Sequence, residues 1–364
     1  MRPAGVRALV LASIGGAYGS ERSPARAARP DPQTSAGGPQ APRPVPGLPA
    51  FSVLIPAYNA ASTLSATLDS VLAQRRDDWE AVVVDDGSTD GTVQIARAYA
   101  QRDSRFRVVA EDNRGCAGAR NTAARQARGQ WLCPLDADDA YEPTFLVSQA
   151  ALMEARPGYD IYSCNVWAEF PDGEREVFRR SARTAQVTSF GLDEMLRENR
   201  FCVITCFRRT LFERLGGFRE NVHNEDWDFW LRAMATGATQ IHNPEILATY
   251  RQRRGSMTDD RIRNLESHRD VLADLIASGG LGVSDLVVAR RSWHHYKVAV
   301  ERASLELRLL AGDYRHARTE YVRTFAGYRS VYKYLVGLLI VVASPRAYAS
   351  LVRRRDPRGR AHRV

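Results

Sequence analysis

Lysine is nearly missing from this chain. Lys297 and Lys333 are the only two, so a net charge of +9 rests almost wholly on arginine. Such a bias follows genomic composition, and no compact basic module stands out, so nucleic acid is not expected as a partner. Cysteine is sparse: Cys116, Cys133, Cys164, Cys202 and Cys206 form an odd, scattered set without a CxxC pair. That excludes a disulfide framework and a thiolate zinc site. Cys202 and Cys206 have the spacing to share a helical face, but buried free thiols in a reducing cytoplasm are the expectation. Long apolar runs are absent too. The strongest, Tyr334 to Ala343, falls short of the roughly 20 residues that cross a bilayer. What is there is ordinary for a globular protein: 364 residues, 44% hydrophobic and 26% charged.

Residues 1–50 are poor in large apolar side chains, and prolines from Pro24 to Pro49 crowd their second half. The segment reads as a disordered or mis-called lead-in. Ala8 to Ile14, behind Arg2 and Arg7, is too weak for the core of a signal peptide.

From residue 51 the pattern becomes regular. Ser52-Val53-Leu54-Ile55-Pro56, Ala81-Val82-Val83-Val84, Phe106-Arg107-Val108-Val109 and Trp131 to Leu135 read as short buried strands. Between them Leu64, Leu68, Val71 and Leu72 share one helical face, Val93 to Tyr99 form a second helix, and Ala117 to Ala127 a third. Strands alternating with amphipathic helices predict an α/β fold with a doubly wound, mainly parallel sheet. Ligands in such sheets bind beyond the carboxyl ends of the strands.

The polar segments fall at those ends: Tyr58-Asn59, then Asp85-Asp86-Gly87-Ser88, then Leu135-Asp136-Ala137-Asp138-Asp139. If the fourth strand continues, Asp136 and Asp138 point the same way. Adjacent carboxylates repel unless a cation sits between them. Oxygen ligands suit Mg²⁺ or Mn²⁺, which also bind substrate phosphates. The bland alternatives are a solvated acidic turn for the last segment and a helix cap for Asp85-Asp86. Three suitable segments at one edge favour the functional reading. Farther on, Asn224-Glu225-Asp226-Trp227-Asp228 opens a helix with Trp227, Trp230, Leu231 and Met234 facing the core and Gly237 as its stop. A carboxylate at a helix N-terminus is either a cap or, near the cleft, a general base.

Taken in order, Ser52 to Asn59, Val84 to Thr92, Asn113 to Asn121, Leu135 to Asp139, Gly216-Gly217-Phe218 and Glu225 to Asp228 resemble a family-2 glycosyltransferase of the GT-A fold over residues 51–258. The resemblance implies that Pro56, Tyr58 and Asp86 hold the nucleotide base and ribose, with Asp86 accepting from a ring N–H. It also implies that Arg120 lies near the diphosphate and that Asp136 meets the ribose or the metal's water shell. Asp138 would bind Mg²⁺ or Mn²⁺, and Asp226 would be the base of an inverting transfer. A UDP-sugar is the default donor, with GDP and dTDP open, and the acceptor is a saccharide or a lipid-linked one.

One departure concerns the segment after the base helix. The family often has Tyr-Arg-x-His, whereas this chain reads Tyr250-Arg251-Gln252-Arg253. Arg253 can pair with phosphate but cannot ligate a metal. The Gln-x-x-Arg-Trp signature of processive synthases is missing, which favours single addition. Two other functions stay in view. A nucleotidyltransferase would carry a glycine-rich loop where Pro56-Ala57-Tyr58-Asn59 stands, and a non-catalytic binding module would lack the Glu225-Asp226 pair. Residues 259–325 read as a helical extension in which His294 and His295 find no companion ligands. Residues 326–364 form an apolar, basic tail, suited either to a membrane interface on the inner face of the cell membrane or to a buried helix.

Overall fold

The computed structural model describes residues 47–178, 186–200, 202–252 and 260–313, with 315, 316 and 319. The lead-in up to residue 46, Arg253 with its loop, and the apolar tail from 326 lie outside them. The first half alternates as expected: β1 (Phe51–Ala57), α1 (Leu64–Leu72), β2 (Trp79–Asp86), α2 (Thr92–Arg102), β3 (Phe106–Glu111), α3 (Gly115–Gln126) and β4 (Trp131–Pro134). There follow β5 (Ala140–Tyr141), α4 (Phe145–Ala155), β6 (Ile161–Glu169), β7 (Arg175–Val177), α5 (Leu192–Met195), β8 (Thr205–Arg208) and α6 (Arg209–Leu215). The described order ends with α7 (Glu225–Ala235), β9 (Gln240–Arg251), α8 (Arg261–Ala277) and α9 (Val283–Leu310).

The strands form a single sheet in the order β3-β2-β1-β4-β8-β6-β9-β5, with β7 on β6. Pairing is parallel from β3 to β4 and again between β6 and β9. Strand β8 enters antiparallel to both β4 and β6.

Both faces of the sheet are covered, which is why its strands read as unbroken apolar runs. Val53, Ile55, Ala81, Val83 and Cys133 enter the core under α1, while their alternates Leu54, Val82, Val84 and Leu132 enter the core under α3 and α7. Period-two alternation thus divides one run between two cores. Trp227, Trp230 and Leu231 are fully buried in the second core, as their helical spacing predicts. Val271, Leu272 and Leu275 of α8 join them, within a compact unit of residues 35–297. Among the described residues no helix is long and apolar enough to cross a membrane.

The parallel register sets the level of the site. Ala57 lies opposite Asp85, and Leu54 opposite Pro134, so β1, β2 and β4 all end at one edge.

Candidate active site

At that edge the loop after β1 is laced to the loop after β2. Asn59 adopts φ 47°, a left-handed conformation that asparagine tolerates. Its N–H donates to Ser88 Oγ (2.9 Å) and its Oδ1 accepts from Thr89 N–H (2.9 Å). Asp90 ties the same loops, accepting from Ala61 N–H (3.1 Å) and Thr92 N–H (3.0 Å). Pro56 is buried, and Tyr58 stands 53% exposed above it.

Asp86 is 2% exposed and caps α3, not the helix that follows it in sequence. Its Oδ1 accepts from Arg114 N–H (2.7 Å) and its Oδ2 from Gly115 N–H (2.9 Å), at the start of α3. Burial pushes its carboxyl above the ordinary value, and these two donors pull it back. Gly87 turns the chain at φ 74°; a Cβ there would meet Asn113 N at 3.0 Å. The neighbouring Asp85 differs: its Oδ1 is buried with no hydrogen-bond partner. That distinction between adjacent acids is invisible in the motif.

The acidic segment after β4 forms a turn, not a continuation of the strand. β4 stops at Pro134, and Asp139 N–H donates to Asp136 O (3.0 Å), closing a turn. Strand alternation therefore does not bring Asp136 and Asp138 together; they belong to one turn. Asp136 and Asp138 are half-buried, whereas Asp139 is fully buried, accepting from Arg251 N–H (2.9 Å). Burial, then the charge of Asp136, pushes the Asp139 carboxyl well up. Arg251 also donates to Asp138 O (3.2 Å), so β9 supports the turn.

Arg120 was expected near the diphosphate. Its guanidinium is 1% exposed and faces protein. Nη2 meets Asp136 Oδ1 at 2.7 Å and Cys116 Sγ at 3.1 Å, and Nη1 meets Glu225 Oε1 at 2.7 Å. Phe218 lies 5.3 Å beneath it. Asn121, one residue on, clamps the loop before α7 by accepting from Phe218 N–H and donating to Phe218 O, each at 2.8 Å. Burial pushes the Cys116 thiol well up, with Arg120 opposing it and Asp136, Glu225 and Asp86 near enough to add to it. Asp136 and Glu225 thus meet on Arg120 of α3, and Asp86 caps the same helix at Gly115.

Asp226 opens α7 beside the buried Glu225. Its Oδ1 accepts from Trp227 N–H (2.6 Å) and its Oδ2 from Asn199 Nδ2 (3.2 Å). Asn199 is 3% exposed and comes from the stretch after α5, which Trp227 holds by donating from Nε1 to Met195 O (2.9 Å). No sequence signal pointed to Asn199. Asp228, 1% exposed, faces away from this cluster to Arg219 and Arg232.

No group of three metal-ligating side chains occurs among the described residues. Two half-buried carboxylates on one turn still fit a hard divalent ion that completes its shell with phosphate oxygens and water. The remaining cysteines are free and buried; Cys133 and Cys206 lie across β4 and β8 with sulfurs 2.9 Å apart, so Cys206 is on a strand rather than a helix.

Known proteins are similar to this chain. The profile of Glycosyl transferase family 2 matches residues 52–216. A PGL/p-HBAD biosynthesis glycosyltransferase of Mycobacterium bovis is 31% identical over 251 residues, covering 67% of this chain and 91% of that protein. A UDP-Glc:alpha-D-GlcNAc-diphosphoundecaprenol beta-1,3-glucosyltransferase of Escherichia coli is 29% identical over 62% of this chain and 86% of its own length. The mannosyltransferase of Pyrobaculum calidifontis, solved with GDP-Man and Mn²⁺, superimposes with a TM-score of 0.56 at 23% identity, over 86% of each chain. At that identity the likeness concerns the fold.

Proposed function

The chain belongs to glycosyl transferase family 2, and on that premise we propose that it moves a sugar from a nucleotide-sugar donor to an acceptor hydroxyl with inversion, in polysaccharide or glycolipid assembly. The observation that carries this reading is the convergence on Arg120, which joins the acidic turn to the start of α7 through two 2.7 Å contacts. A family fold with scattered acids would not need that junction.

Pro56, Tyr58 and Asp86 frame the base and ribose at the ends of β1 and β2, with the unfilled Asp85 Oδ1 as a further acceptor. Asp136 faces the ribose or the ion's waters, and Asp138 is the direct ligand for Mg²⁺ or Mn²⁺. The relative from Escherichia coli is named for UDP-Glc and the neighbour from Pyrobaculum was solved with Mn²⁺, which supports a UDP-sugar and a divalent ion here. A lipid-linked acceptor accords with the diphosphoundecaprenol in the same relative's name.

The chemistry is one displacement. Asp226 takes the proton of the acceptor hydroxyl as its oxygen bonds to the anomeric carbon. The bond from that carbon to the diphosphate oxygen breaks, and the electron pair leaves with the nucleoside diphosphate. A divalent ion held by Asp138 would supply charge neutralisation for that leaving group, so no carboxylic acid would be needed to protonate it. Asn199 holds the Asp226 carboxylate in place for its task.

Asp226→Asn should lower transfer by about 10²–10⁴-fold, the usual contribution of a general base, while calorimetric binding of UDP with Mn²⁺ stays near wild type. Undiminished transfer would remove Asp226 from the reaction. The donor is identified by thermal stabilisation across a nucleotide-sugar panel, since a ligand at a hundred times its Kd adds about 2.7 kcal/mol.

A further inference from the structure

We propose that Arg120 is a positioning residue, a buried brace that sets the spacing between the acidic turn and the base-bearing helix, rather than a contact to the donor's phosphates. The proposal rests on the reading of Asp138 and Asp226 given above.

Three observations point to it. First, the Arg120 side chain is 1% exposed, while its partner Asp136 is 29% exposed, so a ligand in the cleft meets the carboxylate before the guanidinium. Secondly, both terminal nitrogens are committed, Nη2 to Asp136 Oδ1 and Nη1 to Glu225 Oε1, each at 2.7 Å. A planar guanidinium presents its donors in a rigid fork, so engaging two carboxylates fixes their separation as well as their attraction. Thirdly, those carboxylates stand next to the working groups: Asp136 is two residues before Asp138 in the same turn, and Glu225 directly precedes Asp226. The turn and α7 meet only through tertiary contacts, and one side chain from α3 spans them.

Position matters here because the reacting atoms come from different elements. Asp138 locates the leaving diphosphate and Asp226 locates the incoming hydroxyl, and the in-line geometry depends on the distance between them. A shift of about 1 Å in such an arrangement can lower turnover about 10²-fold. The balance of charge agrees: one buried cation faces two carboxylates, leaving residual negative charge at the cleft, as a site for a divalent ion requires.

The test uses the full chain and four variants: Arg120→Met, Arg120→Lys, Glu225→Gln, and Arg120→Met combined with Glu225→Gln. The brace predicts that Arg120→Met lowers kcat about a hundredfold with donor KM within about threefold of wild type. Lysine cannot bridge both partners, so Arg120→Lys should also lose about tenfold in kcat. Glu225→Gln alone should lower kcat in the same direction, and adding it to Arg120→Met should cost less than about threefold further, because both changes remove the same bridge. Thermal unfolding of the same four proteins should show the same non-additivity, and this readout is independent of turnover. Calorimetry with UDP and Mn²⁺ separates the alternatives. If Arg120→Met mainly abolishes UDP binding while Glu225→Gln leaves kcat near wild type, Arg120 is a phosphate ligand and the brace is overturned. Asp226→Asn serves as the control: if that variant remains fully active, the site reading itself falls and the brace falls with it.

Discussion

Replacing Asp86 by alanine should destabilise the protein before it reports on any ligand. In the fold this carboxylate is 2% exposed and accepts the N–H groups of Arg114 at 2.7 Å and Gly115 at 2.9 Å. Alanine leaves both donors without an acceptor at the start of α3. A hydrogen bond to a charged group is worth about 1.5–3 kcal/mol, and an anion at a helix N-terminus about 0.3–1 kcal/mol. Burial of the carboxylate works in the opposite direction, since it is the largest influence on that group and raises its pKa. The net loss should therefore sit near the low end, about 2–4 kcal/mol. A protein with about 5–15 kcal/mol of stability remains folded after that loss. Asp86→Asn keeps one carbonyl oxygen but turns an amide donor toward the second N–H, so about half the loss is expected. Urea unfolding followed by tryptophan fluorescence measures both, because Trp79, Trp227 and Trp230 are buried in the cores. The midpoint should fall with an unchanged slope. Equal midpoints for wild type and Asp86→Ala would refute the capping argument, and would leave Asp86 as a ligand contact alone.

Two further outcomes follow from the same geometry. Asp138→Ala should weaken Mn²⁺-dependent binding of UDP by at least about tenfold, in line with loss of a direct ligand; unchanged calorimetric affinity would count against its assignment. His242 is fully buried, with Ser163 Oγ at 2.9 Å from Nδ1 and Asn165 Oδ1 at 3.1 Å from Nε2. Burial, aided by Arg200, lowers its pKa from 6.5 to about 4. Because the folded value is depressed, the neutral ring's contribution is fully present above pH 6.5 and is lost as pH falls towards 4. Over that window wild type should lose about 3 kcal/mol more than His242→Gln. Parallel stability curves for the two proteins would refute the assignment.

Much of the catalytic half was legible because its signals are local. The apolar runs in β1 and β2 could be buried only on both sides, which required helices above and below and hence a parallel start to the sheet. Strands that run parallel end together, so Tyr58, Asp86 and Asp136 had to gather at one edge. The core face of α7 followed from helical spacing in the same way. By contrast, how Asp136 and Asp138 lie to one another stayed open between a continued strand and an acidic turn; the chain closes a turn there, with Asp139 held in the interior by Arg251 of β9. The antiparallel entry of β8 had no local mark either, since only its pairing with β4 and β6 defines it.

Sequence by itself determined the residue types at the edge, the family and the helix that carries Asp226. Tertiary structure alone decided what each polar group touches. Arg120 and Glu225 are separated by 105 residues, and Asn121 and Phe218 by 97, yet each pair is in direct contact. Whether a guanidinium faces a ligand or is buried between two carboxylates depends on which distant groups share its space. A motif names the guanidinium; packing chooses its partners.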